Sequence, residues 1–356
     1  MLIIDSHLDL AWNALQWNRD LQESVSNIRE QERNLSGPGR GQGTVALPEM
    51  RVGRVAVCFA TLIARSTGRL EPNIDYASPL QAYATAQGQL AYYRALSEAD
   101  EVRLIKDING LDDHIDEWEI WESNTRKAQP PLGLIISMES ADPILSPEQL
   151  SVWKAAGVRL IGPAHYGPGR YAGGTSTELG LTEDGVDLLH EMEQLGIILD
   201  LTHLSDEAFW QALDHFGGHV IASHNNCRAL VPHQRQFDNS QIKAIIDHDG
   251  VIGAALDNWM LIPNWIRGSN ANRPATLKHV TDHIDHICQL AGNAEHAAIG
   301  SDLDGGFGRE QSPADLDTIA DLQRLGEIFS KRGYSSKDIS LIMHGNWLRL
   351  LRRAWN

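Results

Sequence analysis

The sequence predicts an α/β protein in which eight parallel strands close into a (β/α)₈ barrel. Short apolar runs recur along the whole chain without strict alternation of polar and apolar residues, which is typical of strands buried on both faces. Stretches with apolar residues at helical spacing separate most of these runs, and such regular strand–helix alternation indicates a parallel sheet. Eight runs favour a closed barrel over an open doubly wound sheet.

The predicted strands are short, and each ends in polar residues. They cover residues 2–4, 52–63, 132–138, 158–161, 197–201, 220–222, 251–256 and 297–299. The predicted helices cover residues 79–96, 147–156, 183–195, 206–216, 240–247, 276–290, 314–331 and 336–353. Three helices begin after a suitable N-cap: Thr182, Ser205 and Ser335. Three end at a glycine, where a left-handed residue is common: Gly157, Gly196 and Gly292.

The length and composition suit one large globular domain. We expect the 356 residues to form a single barrel domain, 1–356, with loop insertions near 13–47 and 65–78. Hydrophobic residues make up 42% of the chain, enough for a large core. The formal net charge of -17 argues against nucleic acid or an anionic membrane as a partner.

The cysteine count and the chain ends bear on the compartment. Three widely spaced cysteines contain no CxxC pair and do not form a disulfide framework. The N-terminus lacks the pattern of a secretory signal, and no apolar run of about 18 residues could span a membrane. We therefore expect a cytoplasmic protein with no membrane association.

Potential ligands and acid–base groups follow six of the eight predicted strands. Barrel enzymes build their sites from the carboxyl ends of several strands, so we expect these residues to meet at one face. They are His7 and Asp9, Glu139, His165, His203, His224 and Asp302.

Five of these residues predict a binuclear metal site. In an extended segment the side chains of His7 and Asp9 point to the same side, so both can bind one ion. Imidazole nitrogen and carboxylate oxygen are good zinc donors. Glu139 can bridge two ions, and His203 and His224 can complete the second. Each ion then has three protein ligands, although each histidine alone is as easily a hydrogen-bonded core residue.

Two further residues are candidates for catalysis. Asp302, at the end of the last strand, is placed to take a proton from an attacking water and pass it to a leaving amine. His165 could stabilise negative charge on a carbonyl oxygen or simply hydrogen-bond within the barrel mouth. Asp304 lies two residues beyond Asp302, and we expect it to hold a loop rather than to act in catalysis.

A second group of histidines is less informative. His279, His283 and His286 share one face of a predicted helix at a spacing that could hold a metal, but the interleaved aspartates favour a solvated, charge-balanced face. Trp259 and Trp265, after the seventh strand, are expected to line the pocket.

The ordered motifs together resemble the renal (membrane) dipeptidase family, peptidase family M19, in its bacterial form. They are HLD near the start, SME at the third strand, GVR followed by a histidine, ILDLTH, SHNNCRAL, GSDLDG and the closing GNWLRLL. They run in order from Ile4 to Leu351, so the resemblance covers nearly the whole chain.

The resemblance implies a barrel of the metal-dependent amidohydrolase type with two Zn²⁺ ions. His7, Asp9 and Glu139 would bind one ion, and Glu139, His203 and His224 the other. His165 would bind and polarise the scissile carbonyl of a dipeptide, and Asp302 would be the acid–base residue. Arg235, matched only through the resemblance, would bind the substrate carboxylate.

The implied reaction is hydrolysis of dipeptides, including those with a D residue, by a hydroxide bridging the two metals. The family expectation also includes a homodimer.

Two departures from the family pattern leave the identity of the substrate open. Ser140-Ala141 replaces a glycine pair after the bridging glutamate, and residues 254–259 differ from the family pattern. The alternative is a binuclear amidohydrolase acting on another small amide, an N-acyl amino acid or a lactam.

Overall fold

The computed structural model describes residues 1–269 and 273–356 and contains a parallel barrel. Its strands are β1 (Ile3–Leu8), β2 (Val55–Ile63), β3 (Val102–Leu104), β4 (Leu132–Glu139), β5 (Val158–Gly162), β6 (Ile198–Asp200), β7 (Val220–Ala222), β8 (Val251–Ala254) and β9 (Ala297–Ile299). Eight of them close a ring in the order β1, β2, β4, β5, β6, β7, β8, β9 and back to β1. The predicted barrel is therefore confirmed, and its eight strands are those predicted from the apolar runs.

β3 is an additional strand that the sequence did not reveal. β4 pairs with β2 from Gly133 to Glu139. The other edge of β4 is shared, because β3 pairs with Leu132–Leu134 and β5 pairs from Ile136 onward. β3 thus extends the sheet only at its amino end. Three residues are too few to produce a recognisable apolar run.

The helices surround the barrel. They are α1 (Leu10–Leu15), α2 (Val25–Gln31), α3 (Leu47–Val52), α4 (Pro79–Glu98), α5 (Ile108–Ser123), α6 (Leu150–Ala156), α7 (Glu183–Leu195), α8 (Asp206–His215), α9 (Asn239–Asp247), α10 (Asn258–Leu261), α11 (Leu277–Ala291), α12 (Arg324–Lys331), α13 (Ser336–Ser340) and α14 (Asn346–Ala354). Short 3₁₀ turns precede α6 and α12, and a π-helical turn at Leu341–Gly345 joins α13 to α14.

The predicted helix ends agree with the structure. The side chains of Thr182, Ser205 and Ser335 each accept a hydrogen bond from a backbone N–H in the first turn. The glycines after α6, α7 and α11 have φ of 119°, 63° and 72°, the left-handed conformation that ends a helix.

The amino end of the barrel is filled with apolar side chains. Ile4, Val57, Ile135 and other inward-facing residues are fully buried there. Trp347 of α14 covers this end, with its ring centroid 5.2 Å from that of Phe59 and its indole N–H donating to the Ile299 carbonyl at 3.0 Å. Within the described residues, the inner pocket lies at the other, carboxyl end of the barrel. No helix in the described ranges is long and apolar enough to cross a bilayer.

Asp304 fixes the first long connection, residues 9–54, to the barrel mouth. Its carboxylate accepts hydrogen bonds from the backbone N–H groups of Thr44 and Val45 and from the Thr44 hydroxyl. Arg19 also donates to it, at 3.1 Å, and pairs with Glu32 at 2.9 Å. The expected loop-holding role of Asp304 is confirmed.

Candidate metal centre

The polar residues predicted at the strand ends meet at the carboxyl end of the barrel. His7 is on β1, Glu139 is the last residue of β4, and the others directly follow their strands. An inner pocket of about 130 Å³ is lined by Asp9, Glu139, His165, His203, His224, Arg235 and Asp302. His7 lies against the same cluster, with Nε2 3.8 Å from Asp9 Oδ1 and 3.9 Å from Asp302 Oδ1.

Glu139 lies between two groups of donors. Its Oε2 is 3.6 Å from His7 Nε2. Its Oε1 is 3.2 Å from His203 Nε2 and 3.3 Å from His224 Nε2. The two oxygens of one carboxylate therefore face different sets of nitrogen donors, as a carboxylate that bridges two cations would.

The donor set fits a metal centre. Three combinations have all their ligand atoms within 4.8 Å of one another: His7–Asp9–Glu139, Glu139–His203–His224 and His7–His224–Asp302. Within the described residues, His7 Nε2, Asp9 Oδ1 and Glu139 Oε1 are buried without a hydrogen-bond partner. Leaving such atoms unpaired is costly, and cations bound on the two sides of Glu139 would satisfy them.

Hydroxyl groups orient the three histidines from behind. His203 Nδ1 lies 3.0 Å from Thr175 Oγ1, and His224 Nδ1 lies 2.9 Å from Ser223 Oγ. His7 Nδ1 has Thr61 Oγ1 at 3.5 Å. Partners at Nδ1 leave each Nε2 directed into the cluster, as is common for metal-ligating histidine.

Burial sets the protonation of the cluster. Desolvation, with a smaller effect of Arg235, lowers the pKa of His7 to about 3. The pKa values of His203 and His224 are held well below their usual range, chiefly by burial. All three imidazoles are therefore neutral at pH 7 and have a lone pair available for a metal.

The carboxylates show the opposite shift. Burial, followed by repulsion from Asp9, raises the pKa values of both Glu139 and Asp302 well above the usual range. Burial alone raises the pKa of Asp9 to about 7. Crowded, desolvated carboxylates of this kind favour the binding of cations.

Two site residues have an unusual backbone conformation. His203 has φ of 68° and Asp302 has φ of 55°, in the left-handed region that non-glycine residues seldom adopt. Ser140, directly after Glu139, has φ of 67°. The chain turns sharply as it leaves these three strands, and such conformations concentrate at functional sites.

Arg235 is a buried cation beside the cluster. Its Nη1 donates to Asn225 Oδ1 at 2.6 Å and its Nη2 donates to the His224 carbonyl at 2.9 Å. Within the described residues, no ion pair connects its guanidinium to a carboxylate, although the side chain is 3% exposed. A buried guanidinium that lines a pocket in this state suits an anionic group of a ligand.

Arg65 is a site residue that the sequence reasoning missed. Its Nη1 donates to His165 Nδ1 at 3.0 Å. A guanidinium has no acceptor, so the neutral imidazole must carry its proton on Nε2, which lies 3.9 Å from Glu139 Oε2. The sequence contains one indication of this role, because Arg65 is the first charged residue after β2. Arg65 lies at the start of the loop insertion expected from the sequence, residues 65–78.

The second group of histidines has separate partners. His283 is buried, and its Nδ1 accepts from the Cys227 backbone N–H at 3.1 Å. His279 contacts Thr276, and His286 contacts Asn239. The three do not form a metal cluster in the described structure. The expectation of a solvated face was wrong for His283, because this side of α11 packs on the segment after β7.

The two tryptophans after β8 differ in position. Trp259 lines the inner pocket, as expected, whereas Trp265 does not line it and instead packs, half buried, against the main core. The prediction for Trp265 was wrong because α10 ends at Leu261, and the side chain of Trp265 beyond it packs against the core instead of the pocket.

A parallel barrel with buried histidines and carboxylates at the carboxyl ends of its strands defines a metal-dependent hydrolase. The sequence model of "Membrane dipeptidase (Peptidase family M19)" matches residues 1–356. The chain belongs to this family, a family of metallo-dipeptidases, which are hydrolases acting on peptide bonds.

Two relatives match part of the chain. An uncharacterized protein from the pqqA 5′ region of Klebsiella pneumoniae is 33% identical over 214 residues, which are 58% of this chain and 76% of that protein. The dipeptidase tcpJ of Claviceps purpurea is 30% identical over 212 residues, 58% of this chain but only 47% of the relative.

Solved structures share the fold. A crystal structure of the M19 metallopeptidase dipeptidase AC has a TM-score of 0.79 at 23% identity, covering 100% of this chain and 99% of the other. The Rhodobacter sphaeroides metallopeptidase, solved with a phosphinate mimic of L-Ala-D-Ala, has a TM-score of 0.78 at 22% identity, with the same coverage.

The contact between Arg65 and His165 predicts a change of histidine tautomer. Replacing Arg65 with Met removes the donor at Nδ1, so the Nε2–H form of His165 should no longer predominate. Side-chain ¹⁵N NMR of the zinc-loaded protein reads this directly. If His165 acts on a developing oxyanion, kcat should fall about tenfold or more, with a smaller change in KM.

Arg94→Met is a matched control, because Arg94 is exposed and its Nη2 donates to the Ala156 carbonyl on the outside of the barrel. Arg65→Lys, which keeps a donor and the positive charge, should restore part of the effect. An unchanged His165 tautomer in Arg65→Met would contradict the assignment.

Asp257 predicts a pH-dependent stability. Burial raises its pKa to about 7, although Gln311 donates to both carboxylate oxygens. The folded metal-free protein therefore holds this proton longer than the unfolded chain does, and stability is lost as the pH rises from about 4 to 7. Asp257→Asn should stabilise the metal-free protein about 2–3 kcal/mol more at pH 8 than at pH 5.

Urea denaturation of the chelator-treated protein at both pH values measures this difference. Asp214→Asn, at an exposed position of α8, should show no such pH dependence. Equal effects of Asp257→Asn at pH 5 and pH 8 would show that this carboxyl is not desolvated.

Proposed function

We propose that the protein is a zinc-dependent dipeptidase that holds two Zn²⁺ ions. The observation that carries the proposal is the position of Glu139 between two donor sets. His7, Asp9 and Glu139 would hold one ion, and Glu139, His203 and His224 the other. Nitrogen and carboxylate donors without cysteine suit catalytic zinc, and sharing one carboxylate brings the two ions close together.

When bound, the two ions would supply the Lewis-acid activation of a water molecule and of the scissile carbonyl. Asp302 lines the pocket beside them and has no basic partner closer than 3.9 Å. In this proposal it accepts the proton of the attacking water and returns it to the leaving amine. Burial raises the pKa of Asp302 well above its usual range, and bound cations would lower it again.

His165 and Arg235 bind the substrate. The Nε2–H of His165 donates to the carbonyl oxygen as negative charge develops on it. Arg235 pairs with the carboxylate at the end of the substrate. With one end of the substrate fixed beside the cluster, only one residue fits between the scissile bond and the carboxylate, which selects dipeptides.

The stereochemistry of the second residue is part of the proposal. The ligand of the Rhodobacter sphaeroides structure mimics a dipeptide with a D-alanine at its carboxyl end. We infer that this chain also accepts a D residue at that position.

A second candidate function is hydrolysis of another small amide, an N-acyl amino acid or a lactam. The segment after β8 favours it, because Asp257 and Trp259, which lie in the stretch that departs from the family pattern, line the inner pocket beside Met260. This segment contacts the substrate region, not the donor cluster, so it changes substrate selection rather than the chemistry.

Release of free amino acid from L,L and L,D dipeptides and from N-acyl amino acids tests the proposed function. The zinc-loaded protein should cleave dipeptides, contain about two zinc ions per chain and lose activity with a chelator. Glu139→Gln should lower zinc content at both positions. Bound zinc with cleavage of N-acyl amino acids but no dipeptide would favour the second candidate.

Asp302→Asn should separate metal binding from turnover. The amide keeps the shape of the side chain but cannot accept and return a proton, so kcat should fall by about 10²-fold or more. Zinc content should stay near that of the unchanged protein, as measured by elemental analysis.

Asp304→Asn is an unsuitable control because Asp304 holds the first loop. Asp187→Asn, at an exposed position on the outside of α7, serves instead. Full activity in Asp302→Asn would refute the acid–base role.

A further inference from the structure

A second, larger chamber opens from the inner pocket towards solvent. Its volume is about 730 Å³, against about 130 Å³ for the inner pocket. The two share part of their walls, formed by Trp12, Ile74, His165, Tyr166 and Gly306. A substrate held at the metal cluster can therefore extend from one chamber into the other, and the outer chamber has room for a large side chain.

The outer chamber is cationic in an otherwise acidic protein. The formal net charge of the chain is -17. Yet four arginines line this chamber with a single carboxylate, Glu71, and the arginines are Arg40, Arg65, Arg69 and Arg267. A concave surface with one sign of charge concentrates ligands of the opposite sign.

Two of the four arginines are engaged in the structure. Arg65 pairs with Glu71 at 2.6 Å and lies 3.5 Å from Asp75. Arg40 pairs with Glu32 at 2.6 Å and donates to the Trp17 carbonyl. Their charges are largely balanced by these partners.

The other two arginines are available to a ligand. Arg69 and Arg267 are exposed, and within the described residues neither has a carboxylate oxygen within 4.0 Å of its guanidinium. Arg267 donates through Nε to the neutral Gln311 side chain, and its charge reaches the buried Asp257 carboxylate only beyond ion-pair distance. A guanidinium in this state is ready for a bidentate pair with a carboxylate.

The direction of the substrate follows from the position of Arg235. Arg235 contacts Asn225 and the His224 carbonyl, at the β7 side of the inner pocket. The outer chamber is walled mainly by segments that follow β1, β2 and β5, with Arg267 and Gly306 added from the segments after β8 and β9. If the substrate carboxylate binds Arg235, the residue on the amino side of the scissile bond faces the outer chamber.

We propose that the outer chamber binds the negatively charged side chain of the substrate's first residue, so that the enzyme prefers dipeptides beginning with glutamate or aspartate. This inference rests on the proposed function and specifies its substrate class. Arg69 and Arg267 recognise the carboxylate. Trp12, Ile74 and Pro72 provide an apolar wall for the methylene groups of that side chain.

The test compares four dipeptides with the same second residue and with Glu, Gln, Lys or Ala as the first residue. Gln has nearly the shape of Glu without its charge. The zinc-loaded protein should show a kcat/KM about tenfold or more higher for the Glu dipeptide than for the Gln dipeptide, mainly through KM. The Lys dipeptide should be the poorest, and added salt should reduce the preference.

Variants of Arg69 and Arg267 test whether these two residues cause the preference for a glutamate side chain. Changing Arg69→Gln and Arg267→Gln together should bring the Glu-to-Gln ratio close to one. Both side chains are exposed, so the fold should be retained, and each single variant should give an intermediate ratio. Arg126→Gln is the matched control, because Arg126 is exposed between α5 and β4, at the opposite end of the barrel. It removes the same charge and should leave the ratio unchanged.

The outcomes distinguish the two proposals. Chelator-sensitive cleavage of all four dipeptides with a Glu-to-Gln ratio near one overturns the chamber assignment and leaves the dipeptidase function standing. A preference that persists in the double variant also overturns it. Failure to cleave any of the four dipeptides overturns the proposed function together with this inference.

Discussion

The burial of the Glu139 carboxylate between two sets of histidine and aspartate donors is the constraint on which the site depends. In a metal-free state this arrangement is unfavourable, because the oxygens are desolvated and lie close to other carboxylates. The carboxylate stays in this unfavourable position because the parallel pairing of β4 with β2 and β5 fixes the end of the strand. The histidines of β1, β6 and β7 are then held at 3.2 to 3.6 Å by the same barrel.

Much of the fold was predictable from the sequence for a simple physical reason. Strands buried on both faces must be almost wholly apolar, so the eight barrel strands stand out as short apolar runs. The features that were missed lack this signal. β3 has only three residues, and α5 is rich in acidic residues with few apolar positions. The first part of residues 314–331 is a turn and bend followed by a 3₁₀ helix, a distinction that apolar spacing does not record.

The residues of the candidate site likewise fall into those that the sequence predicts and those that it does not. His7, Glu139, His203, His224 and Asp302 could be predicted because barrel topology brings strand ends together, whatever the details of the loops. Arg235 and Arg65 lie in loops, and a loop residue's position depends on tertiary contacts that periodicity does not encode. Arg235 was therefore found only through family resemblance. Arg65 became visible only when its contact with His165 could be measured.

The packing of Trp347 against Phe59 has a consequence for how this protein can diverge. That contact closes one end of the barrel far from the pocket, and the loops at the other end share no side chains with it. The apolar packing that closes the barrel and the side chains that line the pocket are therefore different groups of residues, although pocket residues such as Asp257 also affect stability. Substitutions in the pocket loops can change which substrate binds, while the packing at the closed end of the barrel maintains the fold. A designer could likewise transplant the loops that follow β2 and β8 from one relative to another without rebuilding the barrel.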